Sequence, residues 1–186
     1  MAVIKRNQFA RQESFVPEGM SRIPTQAALQ TRNFAAAMKI NAGLPVNVEA
    51  IVIHYGIRVE YVVMEDDLSG YIENRPSGWL IGVNRYHAPT RQRFTLAHEL
   101  GHYILHRERI GIGEKIEDKM LLRTESFGVQ VEEEANEFAA ELLMPAQEFT
   151  ALIRSSDGKI DKIAAFFGVS LAAARYRATK LGLRIS

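Results

Sequence analysis

Residues 91–106 read RQRFTLAHELGHYILH, two histidines four apart with a glutamate beside the first, set in an otherwise largely apolar run. Residues at i and i+4 share one face of a helix, so His98 and His102 can bring both imidazoles to one point. Neutral imidazole nitrogens suit a borderline-soft metal, of which zinc is the commonest example. The spacing predicts a helix starting near Pro89 or Thr90, where Pro fits the first turn and Thr can cap the free amides. Phe94, Ala97, Gly101 and Leu105 form one apolar stripe, and Leu96, Leu100 and Ile104 a second, so this helix should be buried on more than one side. Gly101 is unfavourable in a helix by about 1 kcal/mol against Ala. Close approach of another backbone beside the histidines would account for it.

Working outward, "IRVEYVVME" alternates Ile57, Val59, Tyr61 and Val63 on one face, a strand pattern. "SGYIEN" and "GWLIGVNR" read as further strands joined by the turn residues of "NRPSG". Short turns between neighbouring strands suggest a small antiparallel sheet. Before the sheet, "NVEAIVIHYGI" reads as a short helix capped by Asn47 and closed at Gly56. A longer helix is expected in "TQAALQTRNFAAAMKINAG", with Thr25 at its start and Gly43 at its end. Residues 107–130 are irregular and charged, and suit a loop with one strand. The segment "VEEEANEFAAELLMP" is a strong helix stopped by Pro145. Two or three short helices complete the chain.

The chain has 186 residues, 47% of them hydrophobic and 24% charged, the composition of a packed globular protein. Formal net charge is +1, from 23 basic and 22 acidic residues, which disfavours a dominant nucleic-acid or membrane-surface role. There are no cysteines, which excludes disulfides and thiolate metal sites. No stretch reaches the roughly 18 to 20 apolar residues of a membrane span, and the first two dozen residues lack a secretory signal pattern. A cytoplasmic location is the expectation. Residues 1–24 read as a flexible arm, 25–145 as the domain that carries the paired histidines, and 146–186 as a helical subdomain. The oligomeric state is not legible.

A peptidase-type metal site needs three protein ligands and one open position. The extended HExxHxxGxxH arrangement fails here, because position 105 is Leu105 and position 108 is Glu108. The remaining source is a carboxylate on the downstream helix. Its buried stripe is Ala135, Phe138, Ala139, Leu142 and Leu143, and one turn back Glu132 falls on the same face. Glu133 and Glu137 turn toward solvent in this reading. Glu132 is the expected ligand and Glu134 the fallback.

"LAHELGHYILH" followed about thirty residues later by "EEEANEFAAELLMP" resembles the ImmA/IrrE family of zinc metallopeptidases. The resemblance spans roughly residues 25–145. It implies an α+β, zincin-like fold in which a small sheet packs against the HExxH helix and a second ligand-bearing helix. It implies a gluzincin-like site with His98 and His102 as zinc ligands, Glu99 as catalytic carboxylate, and a contribution from Glu132 and Asn136. It also implies a protein substrate, a helix-turn-helix repressor of a phage, mobile element or stress gene. Zinc held this way acidifies its water, and Glu99 can take that proton and pass it to the leaving amine.

Several residues have two readings. His106 is a fourth metal ligand, a hydrogen-bond partner of a ligand histidine or, more simply, a helix-end histidine satisfied locally. Asn136 suits a hydrogen bond to a ligand histidine better than metal binding. Tyr103, Tyr86 and His87 are candidates for oxyanion stabilisation or plain packing residues, and His54 reads as structural. Trp79–Asn84 could be an edge strand that pairs with substrate, or an internal strand. Finally, "DKIAAFFGVSLAAARYRATKLG" looks like a helix-turn-helix, which makes a DNA-binding regulator, or an antirepressor in which the zinc is structural and nothing is cut, the rival reading. Against it, Arg177 stands where such motifs place an apolar residue.

Overall fold

Asn47 shows how locally the first elements are specified. Its side chain accepts a hydrogen bond from the amide of Ala50 at 3.0 Å, and Gly56 takes φ +74° two residues beyond the helix that follows. The structure is a computed structural model that describes residues 25–31, 43–119 and 128–185. Helix α1 is seen over residues 25–31 and α2 over Val48–His54. The arm expected over residues 1–24, residues 32–42 of the expected first helix, and residues 120–127 of the charged segment lie outside the described residues.

Strands β1 (Arg58–Val62), β2 (Leu68–Arg75), β3 (Gly78–Asn84) and β4 (Lys115–Lys119) form one sheet in the order β1-β3-β2-β4. One detail differs from the sequence reading, and one open alternative is decided. The sheet is mixed, because β1 runs parallel to β3 while β2 is antiparallel to both β3 and β4. And Trp79–Asn84 is an internal strand, hydrogen-bonded on both sides, so it offers no free edge. Its run Leu80, Ile81, Gly82, Val83, Asn84 is buried throughout, as a strand covered on both faces must be. Among the described strands β1 and β4 are the edges.

Helix α3 (Pro89–His106) follows β3 through a fixed corner. The buried Asn84 amide donates to the carbonyls of Glu65 and Leu68, and Gln92 reaches back to the carbonyls of Asn84 and Arg85. Pro89 occupies the first turn, but Ala88 is the N-cap and no side chain, Thr90 included, caps this helix. After a 3-10 turn at Arg107–Arg109 and β4, helix α4 (Val129–Leu143) packs along α3. A Cβ on Gly101 would lie 3.0 Å from Phe138 Cδ1 and 3.2 Å from the carbonyl oxygen of Ala135. The glycine therefore sets the α3–α4 spacing, the reason anticipated for its presence.

Helices α5 (Ala146–Ser155), α6 (Ile160–Phe167) and α7 (Leu171–Lys180) complete the chain. They share one apolar cluster with the preceding elements, running from Ala28, Ile51 and Val83 through Leu100 and Phe138 to Phe149, Phe167 and Ala178. Phe149 and Phe167 stack with ring centroids 5.6 Å apart. Gly168, at φ +63°, ends α6, and Ser170 caps α7 by accepting from the amide of Ala173. Arg177, the misfit in the helix-turn-helix pattern, points inward. It is buried, its Nε donates to the carbonyl of Met144 at 3.0 Å, and its Nη2 pairs with Glu141.

Candidate metal centre

His98, Glu99 and His102 lie on the part of α3 that is buried on all sides. The 3.6-residue period carries His98 and His102 toward α4, whose first turns present Glu132, Glu134 and Asn136. The structure brings His98, His102 and Glu132 together. Glu132 Oε2 is 3.3 Å from His98 Nε2, and its Oε1 is 3.5 Å from His102 Nε2. The two Nε2 atoms are 3.0 Å apart. Ligand atoms of all three residues fall within 4.8 Å of one another.

The far side of each imidazole is also engaged. His98 Nδ1 is 3.1 Å from Asn136 Oδ1, an acceptor, so Nδ1 carries a hydrogen and Nε2 is the atom turned toward Glu132. His102 Nδ1 lies 3.2 Å from His106 Nδ1, and His106 Nε2 lies 3.0 Å from Glu134 Oε2. Glu134 thus bonds to His106 and does not join the three-residue group. His106 is held by residues of both helices, where the simpler sequence reading had it satisfied locally.

Electrostatics fit a site that holds a cation. Burial depresses both histidines. At His98, hydrogen bonding to Glu132 and the charges of Glu99, Asp118 and Glu132 outweigh it and raise the pKa to about 9. At His102 burial prevails, lowering it to about 4. Burial pushes Glu132 up, but its bonds to the two histidines hold it well below the usual carboxylate range. Without a metal, two nitrogens 3.0 Å apart need one proton between them, and His98 keeps it. Two neutral imidazoles and one carboxylate converging there match the donor set of a divalent metal, which would replace that proton.

Glu99 has a different environment. Its side chain is fully buried and neither carboxylate oxygen has a hydrogen-bond partner among the described residues. Burial, reinforced by Asp118 and Glu132 and opposed by His98, raises its pKa well above the ordinary value. Gly70 of β2 lies beside it and makes room for the neighbouring Thr95. A Cβ there would come within 2.4 Å of Thr95 Cγ2 and 3.5 Å of Glu99 Oε1. Asp118 of β4 sits opposite Gly70, and its carboxylate joins His98 and Glu99 in a second group of potential ligands. The sequence reading missed Asp118. The available signal was parity: Asp118 shares the strand face of buried Ile116, an inward position for an acid.

Other candidates are placed elsewhere. Tyr103 packs edge-on against Tyr55 and Trp79 beneath the Arg107 guanidinium. Tyr86 is exposed, and His87 Nε2 is 3.3 Å from the carbonyl of Asp66. Glu133 is exposed as expected, whereas Glu137 is half-buried.

Residues 54–179 match the family model for the IrrE N-terminal-like domain, a peptidase family. The chain belongs to this family. The IrrE-like match covers the whole site, from the sheet through α3 and α4, and runs into α7. A solved structure, a Mycobacterium tuberculosis transcriptional regulator, aligns over 83% of this chain with a TM-score of 0.57 and 17% identity. The chain spans 46% of that longer protein, and at this identity the likeness speaks for the fold alone. No curated protein matches the sequence. Family and fold together describe a metallopeptidase-like α+β domain with a His-His-Glu group suited to a metal. No helix among the described residues is long and apolar enough to cross a membrane.

Proposed function

We propose that this chain is a zinc-dependent endopeptidase whose substrate is a helix-turn-helix repressor. The observation that carries the catalytic part is Glu99, a fully buried carboxylate with no hydrogen-bond partner beside three converging ligand atoms. Burying such a group without a partner costs several kcal/mol in principle, and active sites are where that cost recurs. In this reading His98, His102 and Glu132 hold zinc. The chemistry zinc supplies when bound is Lewis acidity, which acidifies the attacking water and polarises the scissile carbonyl.

Glu99 does the proton work. Buried beside His98, its carboxylate would accept a proton from the attacking water and hold it until the amine leaves. Asn136 fixes the His98 tautomer from the far side of the ring. The open edge of β4, which pairs only with β2 among the described strands, suits an extended substrate, since Asp118 on that strand joins His98 and Glu99. That edge takes the role that Trp79–Asn84 would have had as an edge strand.

The family resemblance supports a repressor as substrate, and a cytoplasmic setting goes with it. Direct DNA binding through α6 and α7 is the weaker reading, because Arg177 is spent on Glu141 and Met144 inside the fold. The test is to incubate zinc-loaded protein with helix-turn-helix repressors encoded near its gene. One new fragment boundary, abolished by a chelator and restored by zinc, is expected. Intact repressor under all conditions would contradict the proposal.

A further inference from the structure

On the metal-site reading above, His102 must bind through Nε2 and therefore carry its hydrogen on Nδ1. That hydrogen points at His106 Nδ1, 3.2 Å away, so His106 must present a lone pair there. A neutral imidazole has one N–H, which places the His106 hydrogen on Nε2. At that position Glu134 Oε2 waits at 3.0 Å. The opposite arrangement fails electrostatically. If His106 donated from Nδ1, its Nε2 lone pair would face a carboxylate oxygen, acceptor against acceptor, and His102 would carry its hydrogen on the nitrogen meant for metal. The carboxylate thus selects one direction for the whole chain of hydrogen bonds. Glu134 is itself held, because Gln130 Nε2 donates to its other oxygen at 3.0 Å.

We propose that His106 and Glu134 are positioning residues for His102, a relay from α4 through the end of α3 that fixes its tautomer and ring orientation. His98 obtains the same service in one step from Asn136. Among the described residues neither His106 nor Glu134 belongs to a group of converging ligand atoms, which separates this role from metal binding.

The test is zinc affinity, measured by chelator competition on the full chain, with long-range proton–nitrogen spectra of the imidazoles in the zinc-loaded protein. His106→Leu should weaken zinc binding by about 10- to 100-fold, the scale for outer partners of a ligand histidine. His106→Asn puts an amide oxygen near the Nδ1 position and should recover most of the loss. Glu134→Gln should fall at the lower end of that range, since an amide can rotate to serve either tautomer. This variant lies at the half-buried end of the relay and keeps the test open if His106→Leu does not fold. The spectra should show His102 protonated on Nδ1 and His106 on Nε2. Wild-type zinc affinity in both His106→Leu and Glu134→Gln, or His106 protonated on Nδ1, would overturn the relay and leave the three-ligand site standing. A wild-type protein that binds no zinc would overturn both.

Discussion

Helix α4 buries charge at both ends, and the two ends behave differently. At its C-terminal end, Glu141 accepts from the amide of Ala146 at 3.2 Å and pairs with Arg177, whose Nε donates to the carbonyl of Met144. That cluster is closed. At the N-terminal end, Glu132, Glu134 and Asn136 meet the histidines of α3, and closure fails. His98 and His102 point their Nε2 atoms at one another, and Glu99 has two buried oxygens without partners. Buried polar groups are ordinarily satisfied, so the closed end explains itself as structure and the open end calls for an occupant. One helix thus anchors the C-terminal helices and supplies one of the three ligands of a candidate metal site.

If that contrast is right, the ligand substitutions should have the largest effect. His98→Ala, His102→Ala and Glu132→Ala should each abolish stoichiometric zinc, read by elemental analysis after dialysis. Arg177→Ala should keep it. Loss in Glu134→Ala together with retention in Glu132→Ala would show that the wrong carboxylate has been assigned to the metal.

Next in size is the closed end. Arg177→Ala leaves the Glu141 carboxylate buried without its partner, which should cost about 3–5 kcal/mol in denaturant unfolding. Replacing both members with apolar residues, Arg177→Met with Glu141→Leu, should return most of that loss. Equal destabilisation by the single and double changes would mean that packing, not the charge pair, holds α7 in place.

A smaller effect of opposite sign is expected at Glu99. Its pKa is raised in the folded protein, so the folded state holds the proton more tightly than the unfolded one. The metal-free wild type should therefore lose stability as pH rises above the ordinary glutamate value toward the folded one. Glu99→Gln should flatten this loss and raise the melting temperature at neutral pH. An unchanged pH profile would remove the claim that Glu99 is buried at a cost.

The smallest effect concerns the helix spacing. Gly101→Ala gains about 1 kcal/mol in helix propensity but crowds Phe138 and Ala135, an overpacking cost of about 1–3 kcal/mol. A slight net loss of stability is expected, with weaker zinc binding because the ligands come from both helices. Tighter zinc binding in this variant would show that the close approach is not what sets the site.

Much of the site was legible because it rests on helical period. His98 and His102 share a face by spacing, Glu132 follows by stepping one turn back from Ala135, and Asn136 was placed beside a ligand histidine. What the sequence concealed depends on partners far along the chain. The continuous apolar run of β3 fitted an internal strand, but only the pairing with β1 and β2 decides that it has no free edge. Arg177 looked like a misfit until Glu141, 36 residues away, supplied its partner. His106 stayed ambiguous for the same reason, since Glu134 had been considered as a ligand and not as its acceptor. Asp118 sat in a segment without a clear period, and its inward parity emerges only once Ile116 is seen to be buried.

The most direct test of the central claim is cleavage of a co-expressed helix-turn-helix repressor by wild type and by Glu99→Gln, both loaded with zinc. Glutamine preserves size and hydrogen-bonding reach but cannot accept the proton near neutral pH. Equal zinc content, an intact fold and a loss of cleavage of at least about 100-fold are expected in the variant. Cleavage at the wild-type rate by Glu99→Gln would contradict it. So would relief of repression by both proteins through binding alone, with no cut made by either.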